Sequence, residues 1–166
     1  QELLRRLRAK LGDAAPPYSI QRSDVEGVYR SRDVRDGIRE RFDWTLALNP
    51  SYQAVAWAMI ADQMKDHDSY ARPFPAAEIK RLAETWWPRG FSSVGGDQLR
   101  GLLDEMCGLG VLVRDANGCY RLRSPNLVRL MGTETDIESR LLELSERTPE
   151  IKYDADSHHA QLDEGL

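Results

Sequence analysis

Residues 96–124, GDQLRGLLDEMCGLGVLVRDANGCYRLRS, change their hydrophobic period partway along. From Gly96 to Leu109 the apolar residues Leu99, Leu102, Leu103 and Met106 recur every three or four positions. That spacing predicts a helix with one buried side. Gly110 is a natural stop, because glycine readily takes the left-handed conformation that ends a helix. Beyond it the period is two. Residues 111–114 and 119–123 read as short strands. Asn117-Gly118 between them is a type I′ hairpin signal, since both central positions of that turn need positive φ. The alternation puts Val111 and Val113 on one face with Tyr120 and Leu122. Arg114, Arg121 and Arg123 are then expected to project away from the core.

Working towards the N-terminus, Ile79, Leu82, Ala83 and Trp86 mark a helix that starts at Pro75 and ends at Pro88. Asn49-Pro50 is a start signal, Asn as cap and Pro in the first turn. It opens a helix with Tyr52, Val55, Ala56, Met59 and Ile60 on one stripe. Val34, Ile38, Phe42 and Leu46 define a further helix that Ser31 can cap. Ser23-Asp24-Val25-Glu26 has the form of a capping box. Residues 1–12 carry Leu3, Leu4, Leu7 and Leu11 on one face, and a loop with Pro16-Pro17 follows. Towards the C-terminus, Ser124-Pro125 starts a short helix ending near Gly132. Thr133-Glu134-Thr135-Asp136 begins a last helix with Ile137, Leu141 and Leu144 inward.

The expected fold is therefore mainly α. Helix, helix, helix and β-hairpin in residues 50–124 resemble a winged helix-turn-helix, three helices plus a two-stranded wing. Additional N- and C-terminal helices flank it. The expected boundaries are 1–49 for a helical, lid-like linker, 50–132 for the winged helix, 133–147 for the last helix and 148–166 for an acidic tail. The stretch 35–60, RDGIRERFDWTLALNPSYQAVAWAMI, resembles the segment that joins the ATPase core to a C-terminal winged helix in bacterial AAA+/STAND-type, origin-recognition-like ATPases. Residues 120–128, YRLRSPNLV, are similar to the exit from the wing there. The resemblance covers about residues 20–145. It implies a winged helix attached to an upstream ATPase, although no phosphate-binding Gly-Lys-Ser/Thr loop occurs in this chain.

Composition narrows the function classes. Of 166 residues, 41% are hydrophobic and 30% charged, ordinary for a globular chain. No apolar run approaches the about 20 residues that span a membrane. No secretory signal is visible, and two cysteines make neither a disulfide framework nor a four-cysteine zinc site. A reduced, cytoplasmic setting is expected. The start, without Met and in mid-helix, reads as part of a longer protein. The net charge of -4 hides a gradient. Residues 1–49 carry ten Lys/Arg against eight Asp/Glu, residues 50–132 ten against nine, and residues 133–166 three against ten. Nucleic-acid binding by a chain that is not basic overall needs a local basic patch.

The helix 96–109 decides between two functions. Its outward face carries Asp97, Gln98, Arg100, Gly101, Asp104 and Glu105, one cation against three carboxylates. Duplex DNA repels such a face. The hairpin is more favourable. On the first reading the chain binds duplex DNA: Arg114, Arg121 and Arg123 hold phosphates, Asn117 sits at the wing tip, and Gln98 and Arg100 reach base edges. On the second, the same fold docks against the parent ATPase or an oligomer partner, without DNA. No Ser/His/Asp or Cys/His arrangement with an orienting group survives, so the module is read as non-enzymatic, with no cofactor and no metal. Asp66, His67 and Asp68 read as a solvated loop, and His158-His159 as part of an unstructured end. Cys107 and Cys119 read as packing thiols. Of Trp86 and Trp87, one is expected buried and one half-exposed. Trp44 and Trp57 are expected in the core or at a seam. An exposed Trp57 or Trp87 would mark a contact surface.

Overall fold

The structure, a computed structural model, describes residues 2–12, 19–65 and 71–149. The loop at Pro16-Pro17, the Asp66–Asp68 segment and residues 150–166 lie outside it. The described residues form helices α1 (Glu2–Leu11), α2 (Arg22–Tyr29), α3 (Arg32–Leu46), α4 (Pro50–Lys65), α5 (Ala76–Trp86), α6 (Pro88–Phe91) and α7 (Gly96–Gly108). Strands β1 (Leu112–Arg114) and β2 (Tyr120–Leu122) follow, then α8 (Asn126–Leu130) and α9 (Glu134–Ser145). The architecture is mainly helical with one antiparallel hairpin.

α4 is the axis of the molecule. Every residue from Ala54 to Ala61 is buried, so the helix is covered on all sides rather than along one stripe. The alanines at 54, 56, 58 and 61 let α3, α5, α7, α8 and α9 approach its backbone. One continuous apolar core runs from Phe42 and Leu46 of α3 to Ile137, Leu141 and Leu144 of α9. A second, small cluster holds Leu7, Val28 and Val34, with Ile38 packed against both. Leu4, expected on the buried face of α1, lies in solvent. Trp57 meets Phe42 edge-on at 6.0 Å. Arg140 of α9 stacks on Trp57 and bonds Asp43 of α3 at 2.9 Å.

Several helix ends follow their local chemistry. The Asn49 carboxamide oxygen accepts from Ser51 N–H at 2.8 Å. Thr133 Oγ1 accepts from Asp136 N–H, and the Asp136 carboxylate accepts from Thr133 N–H, a reciprocal box. Two caps differ from expectation. α2 starts two residues early, with the Asp24 carboxylate accepting from Gln21 N–H. Ser31 stands at the start of α3, but its hydroxyl donates backwards to Val28 O. Pro88 both ends α5 and opens α6, because a missing N–H costs nothing in a first turn.

The hairpin also departs from the reading. Leu112 faces Leu122, Val113 faces Arg121 and Arg114 faces Tyr120. Leu112, Tyr120 and Leu122 are buried, whereas Val113 is half-exposed beside Arg121. The inside and outside of β1 are thus exchanged. Val111 is buried too, but it lies in the bend between α7 and β1. The turn is not type I′. Among the described residues only glycines have positive φ, so Asn117 keeps a negative one and Gly118 alone, at 78°, turns left-handed. Asp115 organises the loop: its Oδ1 accepts from Asn117 and Cys119 N–H, both at 2.9 Å, and its carbonyl accepts from Gly118 N–H. Phe74, just before α5, exchanges both backbone bonds with Tyr120, at 2.7 and 2.8 Å, and so lies beside β2 like a one-residue strand.

Candidate nucleic-acid interface

The fold separates the charges of α7 from those of the hairpin. On α7, Gly95 N–H donates to the Gln98 side-chain oxygen at 3.1 Å, so Gln98 closes the helix start. Arg100 is bonded to Asp97 one turn earlier, which raises its pKa through that hydrogen bond and charge. Glu105 accepts from the Tyr52 hydroxyl at 2.8 Å, and Asp104 from the Tyr120 hydroxyl at 3.4 Å. Burial first, then the Glu105 hydrogen bond and charge, pushes the Tyr52 phenol up. Burial and the Asp104 charge do the same to Tyr120. The Cys107 thiol is pushed up by burial and by Asp104, which keeps it protonated and a poor nucleophile.

The hairpin cations divide in three ways. Arg114 shares the face of Tyr120, and its guanidinium lies 5.7 Å from the ring centre, so it does not project outwards with the other two. Arg121 is exposed on the outer face beside Val113. Arg123, on that same face, runs back towards Gly110 into a cleft of about 400 Å³ between the hairpin root and α3. Ile38, Phe42, Leu109 and Leu127 make its apolar floor, and Arg41 faces it from α3. Among the described residues Arg121, Arg123 and Arg41 form no ion pair. Asn117 stands exposed at the tip, its backbone held by Asp115.

The six sequence candidates therefore do not converge on one face. Gln98 and Arg100 belong to α7 and are engaged locally. Arg114 is exposed but lies over the Tyr120 ring on the other face of the hairpin. Arg121, Arg123 and Asn117 remain on the hairpin's exposed parts. Arg41 was missed, and no local signal could have found it, because positions 41 and 123 come to line one cleft only in the folded chain. Elsewhere, Arg72 bonds both Asp62 and Glu78 and stacks on Phe74, joining the end of α4 to the start of α5. Hydrogen bonds to the two carboxylates raise its pKa against the opposing effect of burial. Among the described residues no three His, Cys, Asp or Glu gather as metal ligands would, and no helix is long and apolar enough to cross a membrane.

Trp87 is buried and Trp86 half-exposed, as the sequence indicates. Trp57 is buried as well. The exposed tryptophan is Trp44, at 64%, with Leu48 at 69% four residues on. No protein family, curated protein or solved structure matches the chain.

Proposed function

We propose that this chain is a winged-helix module that grips duplex DNA, within a larger ATPase as the resemblance implies. The wing leads the contact rather than the third helix. The observation that carries this reading is three exposed arginines without an ion-pair partner among the described residues: Arg121 on the outer face of the hairpin, and Arg123 and Arg41 lining the cleft at its root. The order α4, α5, α7 and hairpin, with Phe74 beside β2, supports the winged-helix description. Phosphates supply most of the affinity of such contacts, and arginine is suited to them. α7 contributes little, because Gln98 and Arg100 are already bonded and Asp104 and Glu105 repel the backbone.

The test is duplex binding across a salt series, comparing the natural chain with the double variant Arg121→Glu, Arg123→Glu. Steeply salt-dependent binding that the variant loses is the expected result. A natural chain that fails to bind duplex at low salt sinks the reading. A second reading, docking onto a protein partner, is favoured by one observation: Trp44 and Leu48 expose a large apolar area at the end of α3, and tryptophan is enriched in binding hot spots.

A further inference from the structure

A second cleft, of about 350 Å³, opens between the α2–α3 junction and the end of α8. Arg30, Arg32, Arg35 and Arg39 line it, with Asp36 and Leu130. Four guanidinium groups line it against one carboxylate, with Glu26 beside Arg30 and Asp136 in reach of Arg39 just outside. Arg32, Arg35 and Arg39 recur at intervals of three and four on α3, so one side of that helix presents all three.

The four cations are not equally committed. Arg39 donates Nε–H and Nη2–H to Leu130 O, at 3.0 and 2.9 Å. That fixes the plane of its guanidinium and leaves the other N–H groups of its five free to donate. Arg30 and Arg32 have only loose i,i+4 partners, Glu26 at 3.7 Å and Asp36 at 3.5 Å. Arg35 forms no ion pair among the described residues. The cleft thus combines one oriented fork, one uncommitted cation and two that can swing. Guanidinium forks bind the planar edges of oxyanions through paired N–H bonds, and an arginine-rich wall favours an anionic one.

We propose that this cleft binds a phosphate group, held by Arg35 and Arg39, with Arg30 and Arg32 closing on it. The site does not rest on the hairpin reading, since it shares no residue with Arg121, Arg123 or Arg41.

The experiment titrates the full chain with sodium phosphate, with sodium chloride at matched ionic strength as control. The arginine Nε–H signals are followed by NMR. Saturable shifts of Arg35 and Arg39 with phosphate, absent with chloride, are the expected result. Arg35→Glu weakens the phosphate affinity about tenfold or more, as loss of a charge-assisted contact requires, with an unchanged melting temperature. Equal responses to phosphate and chloride would mean a solvated arginine face and overturn the proposal. So would loss of the phosphate response in Arg121→Glu, Arg123→Glu, because the signal would then come from the hairpin. A short duplex added to the phosphate-bound chain identifies the source. Displacement of phosphate from Arg35 and Arg39 means that the backbone phosphodiester occupies the site. Retention means a small phosphorylated ligand. Both outcomes uphold phosphate recognition.

Discussion

α7 and the outer face of the hairpin are joined by one bend at Gly110, yet they treat charge in opposite ways. On α7, Arg100, Asp104 and Glu105 each have a side-chain partner within the protein, and Gln98 closes the helix start. On the hairpin's outer face Arg121 and Arg123 have none among the described residues, and Arg41 of α3 lines the same cleft as Arg123. A charged group that the fold already engages contributes to positioning, even where a phenol donor leaves its charge in place, as at Asp104 and Glu105. A charge left open in solvent contributes to affinity for something else. By that criterion the hairpin cations are the uncommitted ones, although the charged face of α7 is exposed as well.

The comparison can be broken most sharply by reversing the open charges. Arg121→Glu with Arg123→Glu should lower duplex affinity by about a hundredfold at low salt and reduce the slope of log affinity against log salt by about two. Arg41→Gln should remove one phosphate contact, lowering the slope by about one and the affinity by about three- to tenfold. Both are read by fluorescence anisotropy across a salt series. On α7 the sign reverses. Asp104→Asn with Glu105→Gln should tighten duplex binding about threefold, since two repelling charges go.

That last double variant has a second readout. Tyr52 and Tyr120 hold their phenol protons more tightly in the folded chain, through burial and then the neighbouring carboxylates. The resulting stability is present below the ordinary phenol pKa of about 10 and is lost as pH rises through the folded values. Removing the carboxylate charges should move tyrosinate absorbance to lower pH, while burial keeps part of the shift. Arg100→Ala should change duplex affinity less than about twofold, because Asp97 already neutralises that cation. A larger loss would make α7 a contact surface after all.

Much of the helical framework was legible because its signals are local. Asn49-Pro50 and Thr133–Asp136 act as caps where their chemistry says they should. The burial of Ile79, Leu99, Leu103 and Met106 follows from their spacing. The hairpin's location was legible too, through Gly118. Its phase was not: Val111 is buried in the bend before β1, which shifts the apparent alternation by one and disguises Leu112 as an outward residue. The turn was misread because Asp115, not Asn117, sets its geometry. Phe74 escaped notice because one paired residue has no period. The site was less legible than the fold. Side-chain pairs such as Tyr52 with Glu105 decide which charges remain open, and they join residues far apart in sequence.

The Phe74–Tyr120 exchange of backbone bonds has a consequence for dynamics. Both residues are fully or almost fully buried, and each donates its amide to the other. Local fraying of a three-residue strand or of a helix end frees neither proton while the pair holds. Their deuterium uptake should therefore be among the slowest in the chain, following opening of the whole core rather than movement of the hairpin tip. These two amides would act as a clock for global unfolding, while Asn117 at the tip keeps a much faster time.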